Sequence, residues 1–174
     1  IDFTESMIEK ARLNSEKLGY KNVEFRLGDI EKMPVTSNKA DVVISNCVLN
    51  LVPDKEMAFA EIFRVLKPGG HLSVSDVVLN GSLPEKLQQA AEMYAGCVSG
   101  AIQKEDYLKI IEDRGFGKIT VQKEKVITVP DDILLNYLSS KDLAEFKAGG
   151  AGIFSITVYA EKPAAECGCT PGCC

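Results

Sequence analysis

The sequence predicts an α/β protein built on a mostly parallel sheet, and three observations carry that expectation. Asp41 to Ser45 is a short apolar run, the signature of a strand buried on both faces of a parallel sheet. From Lys55 to Leu66, the apolar residues Met57, Phe59, Ile62, Phe63 and Leu66 recur at helical spacing. Pro53 and Asp54 supply its start, and Lys67-Pro68-Gly69-Gly70 ends the helix in a turn before Leu72 to Leu79 begins the next strand. Strand, helix, strand is a βαβ unit, and repeated alternation implies a sheet covered on both faces. Ligands in such sheets bind beyond the carboxyl ends of the strands, which is where Ser45, Asn46 and Cys47 fall.

The remaining elements follow from local signals. Asp2-Phe3-Thr4 reads as a strand end followed at once by a helix, with Thr4 as N-cap. Met7, Ile8, Ala11 and Leu18 form its apolar face, and Gly19 closes it. A chain that opens on the last residues of a strand is expected to lack an N-terminal portion. Asn22 to Leu27 reads as a strand, with Gly28-Asp29-Ile30-Glu31 as the loop at its end. Pro34 to Lys39 is a polar connection. Leu83 to Tyr94 is helical, with Pro84 just inside its start. Ala95 to Ile102 is a helix end and loop. Lys104 to Arg114 is a helix burying Tyr107, Leu108, Ile110 and Ile111. Lys118 to Val129 is a strand, Asp131 to Phe146 a helix, Gly149 to Gly152 a turn and Ile153 to Ala160 a final strand. The closeness of the last two strands suggests an antiparallel edge. Residues 1–162 form one globular unit, and 163–174 a flexible cysteine-rich tail.

Composition narrows the function classes. A chain of 174 residues can bury a core, and 45% apolar with 26% charged residues is ordinary for a globular protein. Net charge is −5 with no basic run, which argues against nucleic acid or an anionic membrane as partner. No apolar stretch reaches the roughly 18 residues of a membrane span, and no secretory signal is visible. Of the six cysteines, four are crowded into the last eight residues, so they do not frame a small secreted domain. A reducing, cytoplasmic setting is expected, with thiols as ligands or nucleophiles. A single histidine, His71, at a strand start makes a Ser-His or Cys-His arrangement improbable.

Several residues carry chemistry in their own right. Asp2, at a strand end, has the placement to accept both ribose hydroxyls of a nucleotide cofactor, against the plainer reading of an N-cap or solvent-exposed end. A nicotinamide enzyme fits the same pattern, and Asp2 alone does not separate the two. Asp76, inside an apolar strand, either reaches the crevice or is a satisfied buried carboxylate. Met7 and Met33 read as core fillers. Cys47 and Cys97, judged by spacing alone, are small buried hydrophobes.

The acidic residue after one strand, the Gly28–Glu31 loop after the next, Ser45-Asn46 after a third and Arg64-Val65-Leu66-Lys67-Pro68-Gly69-Gly70 before a fourth together resemble the Rossmann-like class I methyltransferases. Ile44-Ser45-Asn46-Cys47-Val48, Tyr94 to Ala101 and Glu24 to Glu31 are similar to segments of the arsenite methyltransferases. The resemblance covers about Ile1 to Phe116. It implies S-adenosylmethionine as cofactor, with contacts at Asp2 and Phe3, adenine flanked by Asp29, Ile30 and Glu31, and the sulfonium end lined by Ser45 and Asn46. It implies Cys47 and Cys97 as catalytic thiolate ligands of trivalent arsenic, which is soft and prefers sulfur. Thiolate-bound arsenic keeps a lone pair that attacks the methyl group, so no general base is needed. Arsenite or thiol-conjugated arsenite is then the substrate, with a small-thiol or thioredoxin-type reductant as partner. The tail cysteines Cys167, Cys169, Cys173 and Cys174 read as a capture site for a soft ion or as an adventitious, oxidisable tail. The family's first strand and glycine-rich loop have no counterpart here, so an exposed edge on the Asp41–Ser45 strand, an unsupported Asn22–Leu27 strand and weak stability or association are expected. Two other readings stand: a methyltransferase of the same fold acting on a quinone or phenol, and a thiol-rich chain that binds soft ions without cofactor.

Overall fold

The computed structural model describes residues 1–82, 98, 100–136, 139, 141 and 150–164. The elements are helix α1 (Glu5–Leu18), strand β1 (Ala40–Asn46), a 3-10 turn (Leu49–Leu51), helix α2 (Lys55–Val65), strand β2 (Leu66–Asn80), helix α3 (Lys104–Asp113), strand β3 (Gly117–Val126), the short helix α4 (Asp131–Leu134) and strand β4 (Gly152–Glu161). The sheet order is β1-β2-β4-β3. β1 runs parallel to β2, while β4 is antiparallel to both β2 and β3, so the expected antiparallel edge is present. The helix expected over Leu83 to Tyr94, half of the Asp131–Phe146 helix, Cys97 and the four tail cysteines lie outside the described residues.

The βαβ unit forms as its pattern requires. The Asp54 side chain caps α2, its Oδ1 accepting from Met57 N at 2.9 Å. The buried stripe is Ala58, Phe59, Ile62 and Val65. β2 starts directly at Leu66, so Lys67-Pro68-Gly69-Gly70 is a bulge within the strand rather than a separate turn: Ala40 pairs with Leu66, and Val42 with His71. Gly69 takes φ 83°, and a Cβ at Gly70 would sit 2.8 Å from the Asp41 carbonyl oxygen.

The core is a layer between the sheet and helices α2 and α3. Leu72, Val74 and Val78 of β2 and Ile156, Val158 and Ala160 of β4 meet Phe59, Ile62, Tyr107 and Ile111. The rings of Phe59 and Tyr107 pack edge to face, 5.5 Å apart. Strand periodicity puts Asp76 on the same face as Leu72, Val74 and Val78. A second cluster of Val77, Leu79, Val98, Val129, Leu134 and Ile153 lies at the carboxyl end of β2.

Three expectations are corrected. Asn22 to Leu27 does not form a strand: its one pairing is a single bridge from Leu27 to Asp2, because extended chain without a neighbouring ladder leaves its backbone groups to water. β1 is not buried on both faces: Val42 is 42% and Ile44 79% exposed, and β1 is a sheet edge among the described strands. α1 buries Ile8 only, while Met7, expected in the core, is 49% exposed and Leu18 64%. Thr4 sits at the N-cap position without a capping side-chain bond.

Candidate active site

β1 ends at Asn46, paired with Ser75, and the ladder continues one step further through Cys47 N donating to Ser75 O at 2.8 Å. The chain then turns sharply, since Cys47 has φ 54°. A non-glycine residue in the left-handed region is uncommon and needs its surroundings to hold it there. The half-buried Cys47 packs against the second cluster, as do Ala101 and Ile127. Ser45 is half-buried, and its Oγ is buried without a hydrogen-bond partner; Asn46 is exposed at the strand tip.

A buried polar pair lies on the core face of the neighbouring strand β2. Asp76 is 1% exposed, and Tyr107 Oη donates to its Oδ2 at 2.7 Å. The backbone of Asn50 also acts on this carboxylate, favouring its charged form. Lys55 Nζ donates to the carbonyls of Asn50 at 2.9 Å and Val52 at 3.2 Å. Burial pushes the Asp76 carboxyl up to about 6, against the opposing pull of Tyr107, Asn50 and the Lys55 charge. Burial, with the neighbouring Asp76 charge, drives the Tyr107 hydroxyl far above its ordinary range, so it stays a donor. Burial also lowers Lys55, which the Asp76 charge partly offsets. Asp76 and Tyr107 were legible as an odd carboxylate in an apolar strand and as a core ring. Lys55 and Asn50 gave no local signal, because their roles rest on contacts that only the folded turn creates.

The proposed cofactor residues gather at the same end. Gly28 N donates to Asp2 O at 2.9 Å, which joins the start of the chain to the Asp29-Ile30-Glu31 loop. Asp29 Oδ1 accepts from Glu31 N at 2.9 Å, and Glu31 Oε1 accepts from Asp54 N at 2.9 Å, tying that loop to the start of α2. Asp2 Oδ1 accepts from Thr4 N at 2.8 Å, so half of the carboxylate already serves the local turn. Phe3 is 81% exposed beside it. His71 is not part of this end; its ring lies 5.0 Å from that of Tyr159 at the start of β2. Among the described residues, no group of three or more His, Cys, Asp or Glu could hold a metal ion, and no helix is long and apolar enough to cross a membrane.

A parallel β1-α2-β2 unit continued by an antiparallel β4 and β3 is the architecture of a class I methyltransferase. The chain belongs to the methyltransferase domain family, whose model matches residues 1–115. An arsenite methyltransferase of Halobacterium salinarum is 37% identical over 166 residues, covering 95% of this chain and 40% of that protein. The crystal structure of an arsenic (III) S-adenosylmethionine methyltransferase from Chlamydomonas reinhardtii superposes with a TM-score of 0.72 at 29% identity, covering 98% of this chain and 55% of that one. A demethylmenaquinone methyltransferase of Lactococcus lactis is 37% identical over 94 residues, covering 54% of this chain and 36% of that protein. The chain thus spans well under two thirds of the length of these relatives.

The residues present fit the adenosine part of S-adenosylmethionine. A half-buried aspartate with one oxygen to spare suits a ribose diol, and the pinned Asp29–Glu31 turn presents an acidic edge and the half-buried Ile30 beside it.

Proposed function

We propose that the chain is the methyl-transferring part of an arsenite methyltransferase, in which Cys47 and Cys97 hold trivalent arsenic as thiolates. The observation that carries this is Cys47 itself: a half-buried thiol in left-handed backbone at the carboxyl end of the parallel strand, in a chain similar to the Halobacterium salinarum arsenite methyltransferase over 95% of its length. Asp2 and Phe3 would hold the ribose side of S-adenosylmethionine, Asp29, Ile30 and Glu31 the adenine, and Ser45 and Asn46 the sulfonium end. The cofactor supplies an electrophilic methyl group. The protein's part is then to orient a soft nucleophile. Two thiolates fix the arsenic and leave its lone pair directed away from sulfur. No proton leaves the nucleophile, so no general base is required, and positioning alone can supply roughly 7–11 kcal/mol. A small-thiol or thioredoxin-type reductant, a cytoplasmic setting and independence from nucleic acid and membrane complete the reading. Cys167, Cys169, Cys173 and Cys174 serve in it as an auxiliary capture segment.

Methylation of a small organic acceptor such as a quinone is the second reading, supported by the similarity to the demethylmenaquinone enzyme. The deciding experiment is calorimetric titration with arsenite under reducing conditions, for the wild-type chain, Cys47→Ser and a form lacking residues 166–174. Binding that depends on Cys47 and survives loss of the tail supports arsenite. Binding that follows the tail alone returns Cys47 to a packing role and favours the organic acceptor.

A further inference from the structure

Two neighbouring residues at the start of α2 hold two different segments. The backbone N–H of Asp54 donates to Glu31 Oε1 at 2.9 Å, and Lys55 Nζ donates to the carbonyls of Asn50 and Val52. The Lys55 bonds complete the turn that follows Cys47. Within that turn Leu51 N donates to Val48 O and Val52 N to Leu49 O. Asn50 is fully buried, so its carbonyl needs a donor from the protein, and Lys55 supplies a charged one. The Glu31 bond is not an isolated contact either. Met33 N donates to Glu61 Oε2 at 2.7 Å, while Arg64 donates to Met33 O and Val35 O. The Glu61–Arg64 ion pair fixes both side chains on the face of α2 that receives this segment. The chain from Glu31 to Val35 is therefore fastened along the helix, and the turn after Cys47 is fastened to the first turn of the same helix.

We propose that Glu31 and Lys55 are positioning residues: they lock the Asp29–Glu31 cofactor loop and the Cys47 turn to one rigid helical turn, which sets the spacing between cofactor and thiol. This rests on the reading of the chain as a methyltransferase that uses that loop and Cys47. Methyl transfer is fast only when the two reacting atoms are held about 3–3.5 Å apart and in line. The cofactor loop and the thiol turn are separate stretches of chain, so neither fixes that distance alone. A shared helix does, provided both attachments are stiff. A consequence follows for binding: a nucleoside that steadies Glu31 also steadies Asp54 and Lys55, and through them the turn that keeps Cys47 in left-handed backbone.

The test uses the full 174-residue chain and adenosine, which has the adenine and ribose of the cofactor but no sulfonium end to cover Cys47. Adenosine affinity is measured by calorimetry. Alkylation of Cys47 by iodoacetamide is followed through peptide mass, with and without saturating adenosine. In the wild-type chain adenosine should slow alkylation about fivefold, the low end of coupling between two sites. Lys55→Met keeps the aliphatic stem and should speed alkylation about tenfold, the scale of one hydrogen bond to a charged group. Its adenosine affinity should stay within about twofold, and adenosine should no longer slow the reaction. Lys55→Arg retains the donors and should restore most of the adenosine effect. Glu31→Gln weakens the other attachment, so that even at saturation adenosine should slow alkylation less than in wild type. Adenosine that binds the wild-type chain without slowing alkylation overturns the positioning role and leaves the cofactor reading intact. So does an adenosine effect that survives undiminished in Lys55→Met and Glu31→Gln. Loss of adenosine affinity together with faster alkylation in Lys55→Met also overturns it, since Lys55 would then merely support the fold. If Lys55→Met does not fold, Glu31→Gln decides by the same comparison. Adenosine that fails to bind the wild-type chain overturns both the cofactor reading and the positioning role.

Discussion

Tyr107 Oη and Asp76 Oδ2 lie 2.7 Å apart although the residues are separated by 31 positions in the chain. The bond crosses from α3 to β2, and both residues are buried. It joins a donor that burial keeps protonated to a carboxyl that burial pushes up to about 6.

That shift has a definite sign in stability. The Asp76 carboxyl binds its proton more tightly in the folded chain than at its ordinary value of 3.8. Folding therefore takes up a proton between the two values, and the stabilisation present below about pH 4 is lost as the pH rises through about 6. The difference at neutral pH is about 3 kcal/mol, at ~1.4 kcal/mol per pH unit. Urea titrations from pH 4 to 7.5 should show wild-type stability falling over this window more steeply than that of Asp76→Asn. Parallel profiles for the two would show that the carboxyl titrates as it does in the unfolded chain.

The meeting of Gly100 with Asn50 leaves no room for a methyl group. Gly100→Ala should destabilise the chain by about 1–3 kcal/mol through overpacking, measured as a lower urea midpoint at unchanged slope.

Asp54 has two separate roles, since its side chain caps α2 and its backbone N–H binds Glu31. Asp54→Ala removes only the first and should cost about 1 kcal/mol. Glu31→Gln weakens the second, and is expected to lower affinity for S-adenosylhomocysteine without a comparable loss of stability. A calorimetric titration beside a urea curve separates the two effects.

The edge strand β1 presents Ile44 at 79% exposure. An apolar, unpaired edge is a template for pairing with another chain, and a lysine placed on it blunts that tendency. Ile44→Lys should reduce concentration-dependent association in sedimentation velocity while shifting the unfolding midpoint by less than about 0.5 kcal/mol-equivalent, as for other exposed sites. Association that persists unchanged would locate it elsewhere on the surface.

Local pattern was enough to read much of this protein. The 3.6-residue recurrence of Phe59, Ile62 and Phe63 gave α2, that of Tyr107 and Ile111 gave α3, and apolar runs gave β2 and β4. The position of Cys47 just past a strand, which marks the candidate site, was legible in the same way. These features depend on neighbours a few residues away, and a sequence states its neighbours directly. What only the tertiary structure decided depends on distant partners. Asn22 to Leu27 has the residues of a strand but no adjacent ladder, so it stays extended with one bridge. Val42 and Ile44 have the residues of a buried strand but face outward, because burial belongs to whatever packs against a face and not to the face itself. Asp76 could be recognised as out of place in its strand. That it is matched by Tyr107 follows from two segments being brought together in space, which no periodicity within either of them encodes.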